Sequence, residues 1–418
     1  MQIPWYWRTC FPLFIITFTC LSAIKKSLSI VSPYAISHNV ITVNQYAYIL
    51  STQAIISAIG KFAGSNILVK VNLRRVFIIV SILIALSAIC CSLIFHEGEN
   101  TYPIIFIVWN LICLLNAFIW NSGSLITRFI LPSSVQGTFW SFISSSGPFG
   151  ALLDSFIATY ILTNQSNLFL SLGILYCSSL PLLYYLYPSQ SLTTISSKKD
   201  DEDSSKKPSI STSVYTSFLD LPFSLQVKFL FIGIACIFYF VGHKTLLNWG
   251  RLSISSISGY DSTYSHSITS YWEIGGILGT FLMGMLSDRF SSSIRLYMCL
   301  GAASFSLLLL SLLSVSMPIS LYYIINFLLG LFIYIPESYI ELIALESMPY
   351  SLTGVISGYC AILFQLGTFL STVPVAKFID YYGYENVHWV IFIGYLIATL
   401  SLYLSTWFNE KQNHEKQE

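Results

Sequence analysis

The chain has 418 residues, of which 55% are hydrophobic, 16% aromatic and only 9% charged. A soluble domain carries about 25% charged residues, so this composition, with a mean hydropathy of +0.69, excludes an ordinary soluble protein and indicates a multi-pass membrane protein whose first partner is the lipid bilayer. A formal net charge of +1 gives no reason to expect a nucleic acid partner.

A membrane helix needs about 20 apolar residues. Runs near that length occur at 10–32, 45–65, 76–95, 103–127, 137–163, 167–187, 226–249, 267–287, 295–315, 318–343, 352–375 and 387–407. The predicted fold class is therefore an all-α membrane protein with twelve spans. Arg8 and the apolar stretch after it imitate a secretory leader. However, apolar character resumes after Lys26 and no small-residue cleavage site follows, so the segment is read as the first membrane helix.

That first run, FPLFIITFTCLSAIKKSLSIVSP, contains Lys25 and Lys26. A lysine at the centre of a membrane helix costs about 2.5–3.5 kcal/mol on insertion scales. Either the helix ends at Ile24 and the lysines flank it, snorkelling outward, or it continues to near Pro33 and both are intramembrane. The second reading makes a helix of adequate length and implies that an anion must be met inside the membrane. Adjacent helical residues are about 100° apart, so the two lysines cannot both face one ligand. One is expected to bind and the other to pair with a carboxylate.

Later spans add further polar candidates. Asp154 lies in the fifth. Asn164-Gln165-Ser166 forms a glycosylation sequon in a loop too short to expect modification. The stretch SQSLTTISSKKDDEDSSKKPSISTS has no apolar face and reads as a disordered linker, 188–222, between halves 1–187 and 223–418. The seventh span carries His243 and Lys244, the latter at the place that Lys25 and Lys26 hold in the first half. His243 either assists an anion or packs between helices. In the eighth span, Glu273 is the best counter-charge for an unoccupied lysine, and Gly275, Gly276 and Gly279 permit close helix approach. The tenth carries Glu337 and Glu341, four apart and so on one helix face. These two, with Asp154, serve proton coupling, partner the lysines, or line a wet cavity. Trp120 and Trp249 are placed at helix ends, in the interfacial aromatic belt.

The nine cysteines all lie in apolar runs and form no C-x-x-C pair, which fits packing. No phosphate loop, nucleophile elbow, metal-ligand spacing or dinucleotide fingerprint is present, so no enzyme activity, cofactor or metal is expected. Lysine and arginine concentrate in alternate loops, with only Arg251 and Lys377 on the other side. The positive-inside rule then puts both termini and the linker in the cytosol.

Several stretches in order carry a family resemblance: Lys25 to Pro33; Ile49 to Gln53 with Ser57 to Phe62; Pro132 to Trp140; Gly242 to Gly250; Glu273 to Gly276; Gly284 to Arg289; and Glu346 to Pro349. Together they resemble the organophosphate:phosphate antiporter family of the major facilitator superfamily, most closely its sugar-phosphate exchangers of the endoplasmic reticulum. The resemblance implies two pseudo-symmetric six-helix bundles and, acting as a monomer, exchange of a sugar phosphate (glucose 6-phosphate-like) for inorganic phosphate. It further implies an endoplasmic-reticulum membrane and a phosphate held by Lys25 and Lys244, with Lys26, His243, Asn248 and Trp120 around it. Asp288 and Arg289 fall in the superfamily's loop motif. The chain departs from the family pattern in using Lys25 for an arginine, Asn248 for an aspartate and Trp120-Asn121-Ser122 for Trp-Pro-Pro, and in its acidic Glu337 and Glu341. Proton-coupled transport of another organic anion, and a sensor that binds without transporting, are the alternatives. In the exchange reading, the like charges of Lys25 and Lys244 repel across an empty site and resist closure.

Overall fold

The computed structural model describes residues 5–68, 71–96, 101–130, 133–157, 167–186, 221–258, 262–287, 292–312, 318–346 and 353–415. Most of the linker, the sequon, and Asp288 and Arg289 lie outside the described residues. Thirteen α-helices and one 3₁₀ turn are described: α1 Trp5–Ser37, α2 Val43–Leu68, α3 Leu73–His96, α4 Tyr102–Ile130, α5 Ser133–Phe156, α6 Asn167–Leu186, α7 Phe223–Ser258, α8 Ser262–Ser287, α9 Ser292–Leu312, α10 Ile319–Glu346, α11 Thr353–Leu370, α12 Val373–Tyr382, η1 Tyr384–Asn386 and α13 Val387–Glu415. Helices α11 and α12 divide the eleventh apolar run. The chain breaks at Ser371 and Thr372, where Pro374 follows and supplies no backbone donor.

Among the described residues, eight stretches are long and apolar enough to cross a membrane. Helices α2, α5 and α8 are as long but more polar, and their neighbours explain it. α2 packs on α11 and α5 on α8, so one side of each of these helices lies where the two halves meet. Around the outside, large apolar side chains such as Ile107, Leu93 and Tyr403 are exposed, whereas Asp154, His243, Arg251 and Glu273 are buried. This distribution inverts that of a soluble protein and suits a hydrocarbon surround.

Helices α1–α6 pack among themselves, as do α7–α13, with α1 against α7, α2 against α11 and α5 against α8 and α10 joining the groups. Close crossings depend on glycine. A Cβ at Gly275 or Gly279 of α8 would strike the backbone carbonyls of Phe327 and Leu331 on α10. A Cβ at Gly150 of α5 would strike the α1 backbone at Ala23.

The α1–α2 corner is set by Asn39 in the left-handed region, φ 56. A reciprocal cap follows, in which the Gln45 amide donates to Thr42 Oγ1 (3.2 Å) and the Thr42 amide to Gln45 Oε1 (2.8 Å). The contacts that bring the start of α2, Trp249 of α7 and the α11–α12 break together are here called the far face. At the far face Tyr46 meets Trp249 edge-on at 5.7 Å, Trp249 Nε1 donates to Ser371 O at 2.8 Å, and Ser51 and Thr372 hydroxyls lie 2.6 Å apart. The two groups therefore touch at the far face in this conformation.

Candidate functional site

Helix α1 runs without interruption from Trp5 to Ser37, so Lys25 and Lys26 are intramembrane and do not flank a helix ending at Ile24. The 100° step between them sends them to different neighbours. Lys26 Nζ is 3.5 Å from Glu273 Oε1 of α8, an ion pair without hydrogen-bond geometry. It also lies 5.8 Å from the centre of the Tyr334 ring. Glu273 is fully buried, and its other oxygen accepts from the Tyr334 hydroxyl at 2.6 Å. Lys26 and Glu273 thus tie one helix group to the other.

Lys25 is half-buried and, among the described residues, makes neither an ion pair nor a hydrogen bond. It lies within the fields of Lys61 (α2), Lys244 (α7) and Glu337 (α10). Lys244 does not face it as a bare charge, because its ammonium donates to Glu337 Oε1 at 3.0 Å and sits 5.0 Å from the Phe240 ring centre. The other carboxylate oxygen of Glu337 is 3.2 Å from His243 Nε2. Pro336 immediately precedes Glu337 inside α10, removing a backbone donor from the helix at the level of the site.

His243 is fully buried. It stacks on Tyr239 (5.8 Å, 19°) and meets Tyr334 (5.0 Å) and Trp272 (5.9 Å) edge-on. Asn248 follows Lys244 by one turn of α7 and is half-buried. Glu341, one turn beyond Glu337, interacts with Lys61. Asp154 is fully buried, with both oxygens unpartnered among the described residues, and lies in the fields of Arg251, Lys26 and Glu273.

Two placements correct the sequence expectation. Trp120 and Trp249 are not at helix ends, since α4 continues to Ile130 and α7 to Ser258. Trp120 packs edge-on to Phe18 of α1 at 5.6 Å, and Trp249 is wholly buried at the far-face contact. Arg251 is not in a loop but in α7, 4% exposed, donating to Thr269 Oγ1 (3.2 Å) and to Ser29 Oγ of α1 (3.4 Å). Apolar character stops near Trp249, but the helix does not: Arg251 meets the hydroxyls of Thr269 and Ser29, and Ser253 donates to Tyr384 O at 2.9 Å.

Lys61, Arg251 and Tyr334 are therefore site-proximal residues that sequence reasoning missed. Lys61 could have been found by its place four residues inside the predicted end of the second run. Between the helix groups, among the described residues, five cations (Lys25, Lys26, Lys61, Lys244, Arg251) meet four carboxylates (Asp154, Glu273, Glu337, Glu341). Formal charge is left positive by one, and Lys25 is the cation without a close partner. Such an arrangement can receive an anion.

Known proteins agree with this architecture. A probable hexose phosphate transport protein of Chlamydia trachomatis is 24% identical over 98% of this chain and 93% of its own length. The membrane sensor protein UhpC of Salmonella typhimurium is 27% identical over 41% of this chain and 39% of its own, and UhpC of Escherichia coli 28% identical over 39% and 38%. Among solved structures, the proton:xylose symporter XylE has the same fold, with a TM-score of 0.70 over 97% of this chain and 96% of that one at 14% identity. The Major Facilitator Superfamily model matches residues 13–372, and with the helical architecture described above the chain belongs to the Major Facilitator Superfamily.

Proposed function

We propose that the protein exchanges a sugar phosphate for inorganic phosphate across a membrane by alternating access, as a monomer with its termini in the cytosol. Two six-helix halves, 1–187 and 223–418 joined by the linker 188–222, would rock about a site between them. The single observation that carries this reading is Lys25, a half-buried cation at mid-helix with no ion pair among the described residues. The hexose phosphate transport relative, aligned over nearly the whole chain, supplies the substrate class. A phosphate ester carries about −1.5 to −2 charge and three strong acceptors, which suits Lys25 from one half and Lys244 from the other.

The physical basis for exchange rests on Lys25 more than on repulsion between two bare lysines, since Lys244 is already neutralised by Glu337. Closing both faces around an uncompensated Lys25 is costly, and a bound anion removes that cost. A ligand that stabilises the closed state over the open ones is the requirement for coupled exchange. The test is counterflow in proteoliposomes preloaded with phosphate, using labelled glucose 6-phosphate, glycerol 3-phosphate and glucose. Accumulation of a phosphorylated label, with none of free glucose, is the expected result. Equal uptake into vesicles that lack internal phosphate would rule out exchange.

A sensor on the same scaffold is the second reading, favoured by the likeness to UhpC. Saturable sugar phosphate binding to the purified protein without flux in vesicles identifies it.

A further inference from the structure

The carboxylate of Glu337 is gripped from two sides by consecutive residues of α7. One oxygen accepts from Lys244 Nζ at 3.0 Å, and the other lies 3.2 Å from His243 Nε2. His243 is fully buried, and neither of its ring nitrogens has a hydrogen bond among the described residues. Glu337 therefore occupies, in this structure, the cation that the proposed substrate needs. We propose that Glu337 is the resident anion of the site, and that its displacement from Lys244 by a phosphate group is linked to the uptake of one proton by the Glu337–His243 pair. This rests on the sugar phosphate reading above and names how that site is regulated.

The argument is one of charge balance. A phosphate that takes Lys244 leaves Glu337 ionised and unpaired between helices, and stripping a buried charge of its partner is strongly unfavourable. The groups facing Glu337 are few. From α1 come Lys25 and Lys26, from α2 Lys61, from α7 Tyr239, His243 and Lys244, from α10 itself Tyr334, and from α13 Tyr395. Lys26 is engaged with Glu273, Lys61 interacts with Glu341, and Lys25 faces the incoming phosphate. The tyrosines bring no positive charge. A proton from water is the remaining compensation, and His243 is placed to share it. Either the carboxylic acid donates to Nε2, or the imidazolium pairs with the carboxylate. One O–H or N–H bond forms on binding and breaks when the phosphate leaves and Glu337 returns to Lys244.

Each phosphorylated anion then crosses with one protein-borne proton. A pH gradient leaves one-for-one exchange unaffected but biases any net movement.

The experiment is isothermal titration of the full-length protein in nanodiscs with glucose 6-phosphate, in buffers of different ionisation enthalpy, at about pH 8, where a phosphate ester with second pKa of about 6 is already a dianion. The expected result is an uptake of close to one proton per anion bound by the wild-type protein, and none by Glu337→Gln, which binds more tightly because Lys244 is free. The wild-type measurement stands even where the variant does not fold. Binding by the wild type without proton uptake overturns the linkage and leaves the transport reading intact. Absence of any sugar phosphate binding overturns both.

Discussion

The Lys26–Glu273 pair gives the sharpest test of how the two halves are held. The perturbation is Glu273→Gln, which keeps the acceptor for the Tyr334 hydroxyl (2.6 Å) but removes the charge opposite Lys26. At 3.5 Å, and with the effective dielectric of about 20 that suits protein sites, the attraction is about 5 kcal/mol before desolvation. Removing one member of a buried pair costs about 3–5 kcal/mol, because the other charge is left uncompensated. Glu273 is fully buried while the Lys26 side chain is 19% exposed, so the lower end, about 3 kcal/mol, applies. Since the pair spans α1 and α8, this energy also favours the present conformation over one in which those helices separate, by about 10²-fold. The assay is a double-mutant cycle on reversible unfolding in detergent, with Lys26→Met, Glu273→Gln and the combination. The double variant should lose much less than the sum of the singles, because it leaves no stranded charge. Losses that add within about 0.5 kcal/mol would show that the two residues do not interact and would refute the reasoning.

Four further outcomes are expected. Lys25→Gln should abolish sugar phosphate counterflow while leaving the unfolding midpoint unchanged or raised, since a mid-membrane lysine costs about 2.5–3.5 kcal/mol and this one has no partner to lose; a lowered midpoint would mean that Lys25 is structural. Lys25→Arg should retain transport. Gly279→Ala should destabilise the protein by about 1–3 kcal/mol, measured by unfolding, because its Cβ would meet the Leu331 backbone on α10, which cannot turn aside as a side chain would. Trp249→Phe removes the 2.8 Å bond to Ser371 O, worth about 1 kcal/mol, and should speed alkylation of a cysteine placed at Ser51; an unchanged rate would mean that the far-face contact does not depend on it.

The membrane fold was legible because hydropathy records contact with lipid, and most helices touch lipid along one side. It was less legible where helices face the other half. Helix α7 runs nine residues past Trp249, and Arg251 was placed in a loop because the apolar signal ends there. Lys61 drew no attention because a lysine near the end of an apolar run usually snorkels. The placement of Lys25, Lys26, Lys244 and Glu273 was readable, since charges inside apolar runs stand out. Pairing was only partly so. That one of Lys25 and Lys26 would take a carboxylate followed from the helical step, but which of the two does so, and which carboxylate Lys244 holds, depend on the rotation of α1 and α10 about their axes, and a single sequence carries no measure of those angles.

The pairing that could not be read matters most for mechanism. Two bare lysines facing each other would make an empty carrier unable to close, and exchange would follow from repulsion alone. With Glu337 on Lys244 and Glu273 on Lys26, the charges of Lys244, Glu273 and Glu337 are satisfied between α7 and α10 or across to α1. In the proposed exchange, the obligation to carry an anion therefore falls on Lys25, in the first half. The second half contributes a cation that must first be released from its own carboxylate. A ligand with a single weak negative charge gains little by displacing Glu337, whereas a phosphate dianion, with more charge and more acceptors, competes effectively for the same ammonium. If the proposed displacement holds, the internal carboxylate sets a threshold for the ligand's charge, and selectivity for phosphate over weaker anions then needs no arginine fork at the position of Lys25.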